Sequence, residues 1–172
     1  TIGGFLRVIH EYDMYNQGAA NSLYRLSVRK EAPDFRLVAM AEGPPAMPNK
    51  ALPIPTAFLR RGQVLPVKVM AFKRDGFNEP IEINLAGLPD HISASKATIY
   101  PGQNSALVLL AAKDDAGSWS GNVNVSGKAM VNGKVITHQA RTADVTSVIY
   151  DTQSKKSKVR ARLTGGMLVT VT

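Results

Sequence analysis

Between Lys73 and Leu110 the chain alternates and turns at short, regular intervals, and no helical repeat interrupts it. One alternating segment ends in Lys73-Arg74-Asp75-Gly76-Phe77-Asn78-Glu79-Pro80, and Ile81-Glu82-Ile83-Asn84-Leu85 alternates again. Gly87-Leu88-Pro89-Asp90-His91-Ile92 turns the chain, Thr98-Ile99-Tyr100-Pro101-Gly102-Gln103 turns it once more, and Ala106-Leu107-Val108-Leu109-Leu110 reads as a buried run. Short strands separated by glycine- and proline-rich turns are the cadence of a β-sandwich.

The remainder fits the same frame. Val64–Lys73 offers Leu65, Val67, Val69 and Ala71 as an inner face, or the opposite parity with Met70 and Phe72. Both parities are apolar near its end, which suggests burial on two sides, and Pro66 marks an edge or a bulge. Ser118–Val131 carries Trp119, Val123, Val125, Ala129 and Val131 on one parity, with Trp119 as a core plug. Asn132-Gly133 between alternating segments specifies a type I′ hairpin turn, because both residues tolerate positive φ. The return strand runs from Val135 to Arg141 with His138 on its outer parity, and Ala143–Tyr150 is β-branched and apolar. Lys158–Leu163 and Met167–Val171 are expected to pair across Thr164-Gly165-Gly166. Toward the start, Phe5–His10 and Leu23–Arg29 read as a hairpin, and Ala32-Pro33-Asp34 breaks the pattern. Five prolines between Glu42 and Pro55 exclude a helix there and indicate an ordered loop or extended crossing, whose apolar residues would cover an edge or a sandwich end or else form an exposed docking surface. The expected class is all-β: an antiparallel Ig-like β-sandwich over residues 33–172, with an N-terminal β-hairpin extension over residues 1–32.

The chain contains no cysteine, which excludes disulfides, thiolate metal sites and a thiol nucleophile. No apolar run approaches the roughly 20 residues needed to span a bilayer as a helix. The sequence opens at Thr1 as if a strand had just begun, so it reads as a piece of a longer protein whose targeting signal lies upstream. Net charge is +8, and half of it falls in residues 151–172, where five basic residues face one acidic one.

Chemistry-bearing residues do not cluster. His10, His91 and His138 fall in separate segments without ligand spacing, and no Gly-x-Ser-x-Gly elbow occurs. No catalytic residue and no cofactor are expected. Calcium is the best metal candidate, through the loop oxygens of Asp75, Asn78 and Glu79 or of Asp114 and Asp115. A sugar platform would draw on Tyr12, Tyr15, Phe77, Tyr100 and Trp119. Lys155, Lys156, Lys158, Arg160 and Arg162 could hold an anionic surface or a polysaccharide. They carry no interleaved aromatic residue, so specific nucleic-acid readout is not expected.

Residues 22–37 (Ser-Leu-Tyr-Arg-Leu-Ser-Val-Arg-Lys-Glu-Ala-Pro-Asp-Phe-Arg-Leu) resemble the end of a bacterial pre-peptidase C-terminal domain running into a following module. The pattern is similar to large exported planctomycete-type proteins, in which an Ig-like sandwich follows. Its elements stand here as Arg74–Phe77, Gly87–Pro89 and Gly102-Gln103, so the resemblance covers most of residues 20–140. It implies an accessory domain of an extracellular or periplasmic protein and carries over no functional residue. The resulting expectation is a non-catalytic spacer or contact domain. Its partners would be other domains of its own parent chain, or a protein or polysaccharide at the cell surface. A carbohydrate-binding module and an anionic-surface binder are the alternatives.

Overall fold

In a computed structural model, the backbone is described for residues 30–43, 56–151 and 156–172, and the side chains for 30–43, 56–145 and 160–172. The expected hairpin within residues 1–29, the proline-rich stretch 44–55, and Lys155 therefore lie outside the described residues. Regular structure within them is β-strand only: β1 (Asp34–Ala41), β2 (Phe58–Leu59), β3 (Val64–Arg74), β4 (Ile81–Ala86), β5 (Ile92–Ala94), β6 (Ala97–Ile99), β7 (Ser105–Ala112), β8 (Trp119–Val131), β9 (Lys134–Gln139), β10 (Arg141–Asp151), β11 (Lys156–Thr164) and β12 (Met167–Val171).

The strands form two sheets. The first runs β11-β10-β1-β3-β7-β5, and the second runs β2-β12-β8-β4-β6 with β9 also paired to β8. Period-two burial builds the core between them. Phe35, Leu37 and Ala39 point inward from β1, Leu65, Val67, Val69 and Ala71 from β3, and Val108 and Leu110 from β7. The second sheet answers with Ile81 and Ile83 from β4, Val123, Val125, Ala129 and Val131 from β8, and Met167, Val169 and Val171 from β12. The fold is thus all-β and sandwich-like, as the alternation implies.

Several local expectations are corrected. Only the Leu65 parity of β3 is buried; Phe72 is 58% exposed, so the strand is not enclosed on two sides. Leu107 and Leu109 also face outward, so β7 alternates and is not a continuous buried run. The pairing is not purely antiparallel, because β1 pairs β10 in parallel (Val38↔Arg141) and β2 pairs β12 in parallel (Val171↔Leu59). Most consequentially, β11 and β12 do not pair with each other. β11 pairs β10 in the first sheet, whereas β12 pairs β8 in the second.

The path from β8 to β12 explains that outcome. Asn132 and Gly133 have φ of 50° and 74°, and the turn returns β9 along β8 with Val131 opposite Lys134. At Ala140, whose buried amide donates to the Val125 carbonyl at 2.7 Å, the chain leaves that edge and enters the first sheet. It runs out along β10 and back along β11, then recrosses at Gly165-Gly166. β12 takes up the β8 edge just beyond the point where β9 left it, with Met167 opposite Val123. Met167, Val169 and Val171 are almost fully buried there, an apolar gain that a hairpin with β11 would forfeit.

Candidate functional site

Two features combine charge with defined geometry. The first closes one end of the sandwich. Asp34 opens β1 in the first sheet and His138 lies on β9 against the second. The His138 Nε2 stands 2.7 Å from Asp34 Oδ1, and the Arg74 guanidinium donates to Asp34 Oδ2 at 2.6 Å. The His138 ring meets Phe35 edge-on, with centroids 4.9 Å apart. His138 is therefore half-buried on the parity of Ile136, not on an outer face. A sequence separation of 104 residues hides this pair from any motif.

Burial pushes the Asp34 carboxyl up, but the His138 hydrogen bond, the Phe35 amide and the charges of His138 and Arg74 outweigh it. The net result lies below the ordinary carboxylate range. A depressed folded-state pKa contributes stability above the unfolded value of about 3.9 and loses it as pH falls through the folded value. The unfolding free energy of Asp34→Asn should therefore fall short of the parent's at pH 6, and the gap should close as acid takes both below about pH 4. Urea titrations at stepped pH would measure this. A gap that stays constant from pH 6 to pH 3 would refute the ionic account.

The second feature is the β10–β11 ribbon. β10 touches β1 in register only at Arg141 and Thr142. Among the described residues its remaining length pairs with β11 alone, from Thr142↔Thr164 to Asp151↔Lys156, with a bulge between Val145 and Ser147. Nine residues from Ala143 to Asp151 make a two-stranded ribbon about 30 Å long. Its root is fixed by Thr142, the one buried polar residue among those described, and by the Thr164 hydroxyl, which donates to Asp144 Oδ2 at 3.0 Å. Lys156, Lys158, Arg160 and Arg162 occupy alternate register positions of β11, and the side chains of Lys156 and Lys158 lie outside the described ones. Arg160 and Arg162 are exposed. The register sets Asp151 opposite Lys156 and Asp144 opposite Arg162.

The other sequence candidates disperse. Asp75, in a turn at φ 52°, accepts the Ala32 amide on Oδ2 at 3.0 Å, and Asn78 Oδ1 accepts the Gly102 amide at 2.9 Å. Both oxygens thus tie loops together, and Glu79 is exposed beside them. Asp114 and Asp115 are exposed in the turn after β7, with the Asp114 carboxylate lying over Gly62. No group of three potential metal-ligating His, Cys, Asp or Glu side chains forms among the described residues.

Of the aromatic candidates, Phe77 turns inward and packs on Phe35 at 5.1 Å between centroids. Trp119 is half-buried with its ring folded over Gly121, and Tyr100 is exposed. Phe77, Tyr100 and Trp119 therefore do not form a shared platform. Tyr12 and Tyr15 lie outside the described residues.

A shallow groove of about 450 Å³ runs past Met70, Phe72, Asn104 and Ser105. A cleft of about 240 Å³ lies where β10 and β12 diverge, lined by Thr142, Asp144, Met167 and Leu168 among others. Neither groove contains the Asp34–His138 pair. No helix among the described residues is long and apolar enough to cross a membrane, which leaves strand-based insertion untouched. No protein-family model, no curated protein and no solved structure matches the chain.

Proposed function

We propose that this chain is a non-catalytic accessory module of a longer exported protein, an Ig-like sandwich that holds its neighbours at fixed separation and presents a contact surface. The observation that carries this reading is how the described polar groups are used. Among the described residues, the side chains classed as buried are apolar apart from Thr142 at one margin. The polar groups that do meet act as joints: Asp34 links the two sheets, while Asp75 and Asn78 tie loops. A dry core of this kind transmits position, and contact falls to whatever projects from it. Among the described residues, the β10–β11 pair is joined in register to the rest of its sheet only at Arg141 and Thr142. The resemblance of residues 22–37 to a domain junction in exported proteins supports the same reading.

The His138–Asp34 contact supplies the decisive enzymatic control, because such a pair could serve as a general base. The purified chain should not hydrolyse generic ester or peptide substrates above the buffer rate, and His138→Ala should change nothing. Turnover that His138→Ala or Asp34→Asn abolishes would overturn the proposal.

A further inference from the structure

We infer that the groove on the outer face of β3 is a binding subsite for an acidic oligosaccharide built of uronic acid rings. The inference rests on the accessory-module reading and names the ligand chemistry of its contact surface.

The groove holds about 450 Å³ and is bordered by Lys68, Met70, Phe72, Lys73, Asn104 and Ser105. That volume falls in the range of small-ligand sites, roughly 300–1,000 Å³. β3 is an interior strand, paired with β1 on one side and β7 on the other, so its backbone ladder is already in use. A ligand here is read by side chains over the face of the sheet, which excludes a peptide added as a strand.

Those side chains supply three kinds of contact. The first is an aromatic ring, since Phe72 points outward and is more than half exposed. The C–H groups of a sugar ring pack against the electron-rich face of an aromatic ring. Met70 extends this apolar floor toward Ser105, its register partner on β7. The second is a neutral polar wall. Asn104 brings an exposed carboxamide and Ser105 a hydroxyl, donors and acceptors suited to sugar hydroxyls. The Asn104 carbonyl accepts the Ala71 amide at 2.8 Å, which fixes this wall against β3.

The third is positive charge. Arg36 stands opposite Phe72 on β1 and is exposed. The Lys73 ammonium lies 3.5 Å from the Tyr100 carbonyl, and that of Lys68 lies 3.8 Å from Glu42. Both contacts are long, so either ammonium can turn toward a ligand carboxylate. Asp34, on the same parity of β1 as Arg36, is already held by Arg74 and His138. The local field therefore favours an anion. A neutral sugar would leave the cations unused. An acyl chain would leave one side in water, because the groove is shallow. A uronic acid ring uses the aromatic, the polar wall and the cations together.

The test uses the full chain with trigalacturonate, trimannuronate, their methyl esters, and capped triglutamate as an acidic ligand without sugar rings. Titration calorimetry at low salt reads binding. At least one uronate should bind, and its neutral ester and triglutamate should bind about tenfold more weakly or worse. Phe72→Ala, with unchanged circular dichroism and melting, should weaken uronate binding by about tenfold, and Phe72→Tyr should retain it. Binding of neither uronate overturns the inference. Equal binding of triglutamate, or full binding by Phe72→Ala, would show a plain cationic surface and overturns it too, and equal binding of the ester removes the role of the cations. None of these results touches the accessory-module reading. Cleavage of the saccharide by the chain would instead strike at that underlying reading.

Discussion

Replacing Phe35 by alanine should remove about 3–5 kcal/mol of unfolding free energy, a large share of what a domain of this kind has in total. Phe35 is fully buried and packs against residues from three other parts of the sandwich. Its ring touches Phe77 from the loop after β3 and His138 from β9, and lies across from Gly127 on β8. Truncation leaves a cavity bordered by groups that cannot all move in. The Asp34–His138 hydrogen bond pins the imidazole, and the Phe77 backbone N–H donates a hydrogen bond to the Arg74 carbonyl within its own turn. Phe35→Leu keeps most of the volume and serves as the graded control if the alanine variant does not fold. Urea unfolding of both variants gives the measurement. A loss below about 1 kcal/mol for alanine would mean that the end of the sandwich collapses freely, and the packing account would fail.

The elements that the sequence made legible share one property: their signal is local. Asn132-Gly133 specifies its turn through the φ of two residues, and β8 and β9 pair as that turn dictates. The inner parity of β8 reads directly from Val123, Val125, Ala129 and Val131. Long-range pairing is different. β1 and β10 lie side by side in parallel although Val38 and its partner Arg141 are far apart in sequence, and no turn chemistry encodes such a neighbour. Gly165-Gly166 misleads for a related reason. Two glycines between alternating runs resemble a hairpin, yet here they let the chain cross between sheets. What decides the matter is burial, since β12 has an inner face to fill and Arg160, Ala161, Arg162 and Leu163 at the root of β11 are exposed.

The candidate sites divide along the same line. The run of basic residues from Lys155 to Arg162 is visible in the sequence, with Lys156, Lys158, Arg160 and Arg162 at every second position. That this run lies on a strand paired with β10 depends on a long-range neighbour, which the sequence does not announce. The Asp34–Arg74–His138 cluster was equally hidden. His138 carries the same local signature as a surface histidine, and only the meeting of β1 with β9 turns it inward. Phe77 shows the converse. A phenylalanine in a glycine-containing turn suggests an exposed ring, but Phe35 offers it an aromatic partner and the loop closes over the core.

Gly127 supplies the second large effect, of opposite kind. It sits on the inward parity of β8, where every neighbour two residues away is apolar and buried. A Cβ added there would overlap Leu37 Cδ1, lie 2.8 Å from Ile81 Cγ2 and stand 3.4 Å from the Phe35 ring. The glycine is thus the small member of a large-small pairing across the sandwich, and its empty space is what admits Phe35 and Leu37. Gly127→Val should cost about 3 kcal/mol by overpacking, despite the better strand propensity of valine. Propensity alone predicts a gain, so the sign of the change separates the two accounts. Gly127→Ala, with one methyl against the movable end of Leu37, should fall between the parent and the valine variant. The cross-sheet origin of the cost is testable in a double-mutant cycle with Leu37→Ala. Each substitution alone destabilises, but valine at 127 fills part of the space that Leu37 vacates. The double variant should therefore be more stable than the summed losses imply, by about 1 kcal/mol or more. Additivity within about 0.5 kcal/mol would place the penalty elsewhere than at this contact.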